Sequence, residues 1–312
     1  ISACLVGSEM CIRDRMCVGL LPTTVFLFSS FTYDAFVIAL LMLGIALFVT
    51  EYLSEEKIQT KRTMVSILAM VVGCFSKAVY IPFLALYWLM PKDKFYSRRQ
   101  KNLFKAGIFV LLILMFASFI LPLIGNVTSG AEVGDYRGGD TSQTSQLSMI
   151  LGYPLTYTGV LLKSLGTTFA SYFIGSKVLA NFAYRGIYDG IGYFVVLLTM
   201  LFTFVTDFGM TEKTYDAQMK RKILMMKIWN AVLIFGTACL VWTALYLDFT
   251  PVGSMVINGV SPRYYLPLIF PLSLIFINQK VRCSMKLENY QSLIAFLMLI
   301  GTGISIYCLM LA

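Results

Sequence analysis

Histidine is absent from this 312-residue chain, and charge is scarce. Only 13% of residues are Asp, Glu, Lys or Arg, where a soluble domain carries roughly 25%. Without histidine there is no Ser-His-Asp triad, no His metal site and no His general base within these residues. Cysteine is thin and scattered. The seven, from Cys4 to Cys308, form no CxxC pair, so neither a zinc site nor a disulfide framework has support. What abounds is apolar: 58% of residues are hydrophobic and the mean hydropathy is +0.77. One soluble core of this size cannot hide that much apolar surface, whereas a bilayer covers it from outside.

The net charge is +9 and the pI about 9.1, which in a soluble chain would point to nucleic acid. Here the cations sit in short loops between apolar runs, so they read as topology signals and no nucleic-acid partner is expected. Residues 1–15, ISACLVGSEMCIRDR, have neither the basic start nor the apolar core of a signal peptide. They resemble a translated sequencing-adapter string. The expectation is a non-native lead, with the natural protein extending upstream.

A helix crosses the hydrocarbon with about 20 apolar residues and manages with about 17. Nine segments qualify or come close: 16–31, 35–50, 63–75, 79–90, 103–123, 190–206, 228–247, 264–277 and 290–311. The third and fourth are short and meet at Ser76-Lys77. The loop before them holds Lys57, Lys61 and Arg62, and the loop after them holds Lys92, Lys94, Arg98, Arg99, Lys101 and Lys105. Both loops read as cytoplasmic, so an even number of passes lies between, as a hairpin of two short helices supplies. Lys213, Lys220, Arg221, Lys222 and Lys227, then Lys280, Arg282 and Lys286, continue the same side. The short loops opposite hold only Lys77 and Arg263.

The expected fold is thus an all-α polytopic transmembrane bundle of about nine spans. Residues 16–123 form spans one to five, 124–189 an extracytoplasmic loop with amphipathic helices, and 190–312 spans six to nine. That topology gathers Asp34, Lys77, the 124–189 stretch and the segment DFTPVGSMVINGVSPR (248–263) on the outer face. Ionisable groups close to hydrocarbon are costly and tend to face a cavity or a partner. Asp34 also suits a helix N-cap. In GAEVGDYRGGDTSQTSQ, Glu132, Asp135 and Asp140 read either as ligands for a metal or sugar or as a solvated loop. Tyr153, Tyr157, Tyr172, Phe173, Phe182 and Tyr184 read either as interfacial aromatics or as platforms for sugar rings.

Five segments in order carry a family resemblance: LLPTTVFLFSSFTYDAFVIAL, SKAVYIPFLALYWLMP, LGYPLTYTGVLLKSL, WTALYLDFTPVG and INGVSPRYYLPLIFP. Together they resemble a bacterial family of multi-spanning proteins, domain-of-unknown-function family 2142, which is similar to the GT-C membrane glycosyltransferases. The resemblance implies a GT-C-like bundle in the bacterial inner membrane, with its active face extracytoplasmic. It implies a polyprenyl-phosphate-linked sugar as donor and a cell-envelope glycan as acceptor. The acidic motif expected near the family's N-terminus does not occur here, so the catalytic acid is expected upstream and this fragment to be inactive. Asp34 is the remaining acid. Lys77, Arg263 and Arg185 are the candidates for contact with the lipid phosphate. No metal ligands are assigned, and divalent metal dependence stays open. A transporter or flippase, or a polysaccharide polymerase or ligase, stands as the alternative. A transporter of this kind should show internal repeats, which the sequence lacks.

Overall fold

The computed structural model describes residues 12–129, 140–206, 217–276, 281, 283 and 285–310. Residues 1–11, Glu132 and Asp135 lie outside them, as do Lys213, Lys280 and Arg282. The described residues are overwhelmingly helical, and no strand occurs among them beyond an isolated bridge between Asn181 and Ile187. The chain is a membrane protein built as a helical bundle.

All nine apolar segments are helical over their described residues, with bounds that physical chemistry explains. The first is broken. Residues 12–19 form α1 and Pro22–Phe28 form α2, because Pro22 has no N–H to continue the ladder. The break leaves the Leu20 carbonyl to other donors, and Thr302 Oγ1 supplies one at 3.0 Å. In lipid such a carbonyl must be met from within the protein. Arg13 and Asp14, at the end of the expected lead, are buried and paired at 3.0 Å, and Arg13 also donates to the Thr206 carbonyl.

The central helix is α3, Tyr33–Leu53. It starts where Thr32 Oγ1 accepts from the Asp34 N–H at 3.2 Å, so Thr32 is the N-cap and Asp34 sits in the favourable first turn. Helix α4, Thr60–Cys74, packs against it through glycine. A Cβ on Gly44 would lie 2.5 Å from Met70 Cγ and 3.0 Å from the Ser66 carbonyl, so only a missing side chain permits this approach.

The next apolar segment is not α-helical. Ala78–Leu89 winds as a 3-10 helix of 12 residues with Pro82 inside it. Runs of this kind seldom exceed four residues. With a rise of about 2.0 Å per residue it extends about 24 Å, which compensates for its shortness. Helix α5, Arg98–Ser129, and helix α10, Ala217–Phe249, both pack on this segment. Between them in sequence come α6 (Gln143–Gly152), α7 (Pro154–Phe173), α8 (Ser176–Leu179) and α9 (Ile191–Val205). A 3-10 turn at Pro262–Tyr265 leads into α11, Leu266–Ser273, and α12 is Leu287–Met310. Helices α9 and α12 meet at another glycine pair, Gly192 and Gly301.

Among the described residues, four helices, α3, α5, α10 and α12, are long and apolar enough to cross a membrane by length and composition. Two-thirds (67%) of the apolar window of α3 is buried, against 17% for α5, so α3 is core and α5 faces outward. Contacts sort the loops to the two ends of α3. At its start, Asp34 meets Lys77 and Arg263. At its finish, Ser54 meets Lys94, Glu51 meets Arg62, and Tyr52 donates to the Lys222 carbonyl.

Candidate functional site

Three residues far apart in sequence meet at the start of α3. Asp34 comes from its first turn, Lys77 from the link between α4 and the 3-10 segment, and Arg263 from the turn before α11. Lys77 Nζ donates to Asp34 Oδ1, and Arg263 Nε stands 3.5 Å from Asp34 Oδ2 as an ion pair rather than a hydrogen bond. Asp34 and Lys77 are largely buried, whereas the Arg263 side chain is 41% exposed. Burial lowers the Lys77 pKa, and the Asp34 carboxylate beside it offsets part of that loss.

Aromatic faces complete the cluster. The Lys77 ammonium lies 4.0 Å from the centroid of the Tyr264 ring and 5.2 Å from that of Tyr33. The Arg263 guanidinium is 5.6 Å from the Tyr264 ring. A cation over a ring face at such range is attracted by the quadrupole. Tyr264 is itself held from behind, because the buried Tyr80 hydroxyl donates to its carbonyl at 2.7 Å.

The chain leading to Arg263 is shaped by its own sequence. Gly259 has φ +79°, and a Cβ there would lie 2.3 Å from Phe249 Cδ1. Only glycine fits. Thr250 Oγ1 accepts from the Asn258 N–H at 3.1 Å, closing the loop. Tyr265 is anchored by Trp242 Nε1, which donates to its hydroxyl at 2.6 Å.

Beside the cluster lies a cavity of about 530 Å³. Lys77, Ser76, Tyr264, Gln143 and Asp248 supply its polar lining. Phe119 and Ile120 of α5, Val79 of the 3-10 segment, and Val241, Ala244 and Leu245 of α10 supply the apolar lining. A charged head with an apolar tail matches such a lining. Among the described residues, no three His, Cys, Asp or Glu side chains gather as a metal site requires.

The structure therefore brings together Asp34, Lys77 and Arg263 but not Arg185. Arg185 is exposed on the 3-10 turn Ala183–Arg185, outside the cluster's ion pairs and outside the cavity lining. Most of the aromatics considered as sugar platforms are spent on packing. Tyr157 bonds Thr243 at 2.6 Å, Tyr172 and Phe173 pack edge-on to Tyr265, and Phe182 packs edge-on to Phe26. Tyr153 and Tyr184 remain exposed. Tyr265 is buried, and Tyr264 covers Lys77. Sequence reasoning passes over Gln143 and Asp248. The available signal was an acid in the last turn of a long helix, where the backbone dipole disfavours it.

A family model for a predicted membrane protein, DUF2142, matches residues 14–272. No curated protein and no solved structure matches the chain. The family match takes in Asp34, Lys77 and Arg263 together with the cavity beside them, and over that length it makes this chain a member of the DUF2142 family of predicted membrane proteins.

Proposed function

We propose that the protein binds the phosphate of a polyprenyl-phosphate-linked sugar at Lys77 and Arg263. As a GT-C-type glycosyltransferase it passes the sugar to a cell-envelope glycan at the extracytoplasmic face of the bacterial inner membrane. The observation that carries this reading is the charge balance. Two cations, Lys77 and Arg263, share the one carboxylate Asp34 at the edge of a largely apolar cavity, so that cluster keeps a positive charge, while the acid Asp248 lines the cavity as well. A lipid phosphate supplies the complement of both parts, an anion and a hydrocarbon tail.

In the transfer, an acceptor hydroxyl oxygen bonds to the sugar carbon as the bond from that carbon to the phosphate oxygen breaks; the electron pair stays on the phosphate, and the hydroxyl proton is released to the departing phosphate or to water. Lys77 as a point charge and Arg263 as a fork are suited to hold that growing charge. Asp34 turns one oxygen to each cation. It positions them, and its engagement on both sides speaks against a role as general base.

The test is binding in lipid nanodiscs, comparing polyprenyl phosphate with the uncharged polyprenol. The phosphate should bind more tightly, and Lys77→Ala or Arg263→Ala should weaken it by about tenfold or more, equivalent to about 1.4 kcal/mol. Equal affinity for the phosphate and the alcohol would end this reading.

A further inference from the structure

The cavity has a second polar wall that takes no part in the ion cluster. Gln143, at the first position of α6, and Asp248, in the last turn of α10, both line it. Gln143 Nε2 donates to Asp248 Oδ1 at 2.6 Å.

This pair is built into the fold. One turn along α6, the fully buried Gln146 donates from Nε2 to the Tyr246 carbonyl at 3.1 Å and the Pro251 carbonyl at 3.5 Å. Its Oε1 accepts from the Gly253 N–H at 3.2 Å. That carboxamide fastens the start of α6 to the end of α10 and the turn beyond. Residues three apart share a helix face, so Gln143 is carried onto Asp248.

We infer that Gln143 and Asp248 form a sugar-binding subsite for the head group whose phosphate lies at Lys77 and Arg263, an inference that rests on the lipid-phosphate reading above. A carboxylate offers only acceptors, and the carboxamide adds one acceptor and a further donor, a set matched to neighbouring hydroxyls. The phosphate is drawn to the cations Lys77 and Arg263, which leaves the neutral polyol for the wall formed by Gln143 and Asp248. A site built to hydrogen-bond hydroxyls discriminates sharply against a ligand that lacks them.

The experiment compares polyprenyl phosphate with its glucosyl, mannosyl, N-acetylglucosaminyl and arabinosyl phosphodiesters, each bound to the protein in nanodiscs. The wild type should bind at least one glycosylated probe about tenfold more tightly than the bare phosphate. Asp248→Asn, nearly isosteric, and Gln143→Leu should collapse that preference, with retained thermal midpoints showing that the variants fold. Lys77→Ala should weaken bare and glycosylated probes alike. A wild type that binds bare phosphate but prefers no sugar overturns the subsite, as does a preference that survives Asp248→Asn. A wild type that binds no polyprenyl phosphate at all removes the phosphate reading and the subsite with it.

Discussion

The two ends of α3 bury charge in opposite ways. At the Glu51 end, Lys94 and Lys57 reach backbone carbonyls and a hydroxyl. Lys94 Nζ donates to Ser54 Oγ and to the Glu56 carbonyl at 3.0 Å, and Lys57 Nζ donates to the Asp93 and Phe95 carbonyls at 2.9 and 3.2 Å. Glu51 accepts from the Gln59 N–H at 3.0 Å and pairs with Arg62 at 3.4 Å. These bonds clamp the loop after α3 onto the loop before α5. At the Asp34 end, two cations converge on one carboxylate beside a cavity. The lesson concerns partners rather than burial. A buried cation surrounded by fixed carbonyls is a rivet, whereas one that shares an acid across an open cavity keeps a field that a ligand can meet.

The sharpest way to break this contrast is Lys94→Ala. Two hydrogen bonds from a charged group vanish and the buried Ser54 hydroxyl loses its donor, which should cost about 3 kcal/mol of stability. Thermal unfolding in detergent measures it, and the folded fraction should keep its affinity for polyprenyl phosphate. A loss of affinity without a loss of stability would erase the distinction between the ends. Tyr80→Phe should act more gently at the other end. Removing the hydroxyl that holds the Tyr264 carbonyl should cost about 1 kcal/mol of stability and loosen anion binding by a smaller factor than loss of Lys77.

A pH response is expected at the Asp34 end. Burial depresses the native pKa of Lys77 below the ordinary value of 10.5, Asp34 partly restores it, and Arg263 depresses it further. The folded state therefore holds this proton less firmly than the unfolded chain. Stability rises as pH climbs through the native pKa, and the gain is complete above 10.5. Anion affinity moves the other way and falls as the ammonium is lost. Lys77→Met should flatten both curves, which paired titrations of melting temperature and binding would reveal. The smallest effect is expected at Arg185, exposed and outside the cluster. Arg185→Ala should change stability by no more than about 0.5 kcal/mol and leave binding unaltered.

Much of the bundle was legible because apolar runs and loop charge report on bilayer crossing directly. Residues 35–50 and 290–311 anticipate α3 and α12 closely, since nothing but length and hydropathy decides them. Winding was less legible. Nothing in the composition of AVYIPFLALYWL separates a 3-10 helix from an α-helix, and Pro82 alone hints at it. The break before Pro22 is readable in hindsight, but the donor from Thr302 that meets its stranded carbonyl depends on tertiary packing.

The cluster shows the same divide. Loop alternation assigns Asp34, Lys77 and Arg263 to one side, yet a shared side does not imply contact. Contact depends on the glycine approach of α3 to α4 at Gly44, on Gly259 and on the Trp242–Tyr265 bond, all of them long-range. Gln143 escaped notice because its polar neighbours read as a solvated loop. Only the buried Gln146, whose partners lie about a hundred residues later, reveals that α6 is fastened to α10.

The 3-10 segment Ala78–Leu89 also acts as a ruler. Its far half is tethered, since Trp229 Nε1 donates to the Ala85 carbonyl at 3.0 Å and Lys105 Nζ to the Trp88 carbonyl at 2.9 Å. Its near end carries Lys77. An α-helix rises about 1.5 Å per residue and a 3-10 helix about 2.0 Å, so rewinding these 12 residues would retract the ammonium by about 6 Å, out of reach of Asp34. Pro82, whose ring would clash with the carbonyl four residues earlier in an α-helix, resists that change. The pitch of a dozen apolar residues thus fixes the height at which the cation stands.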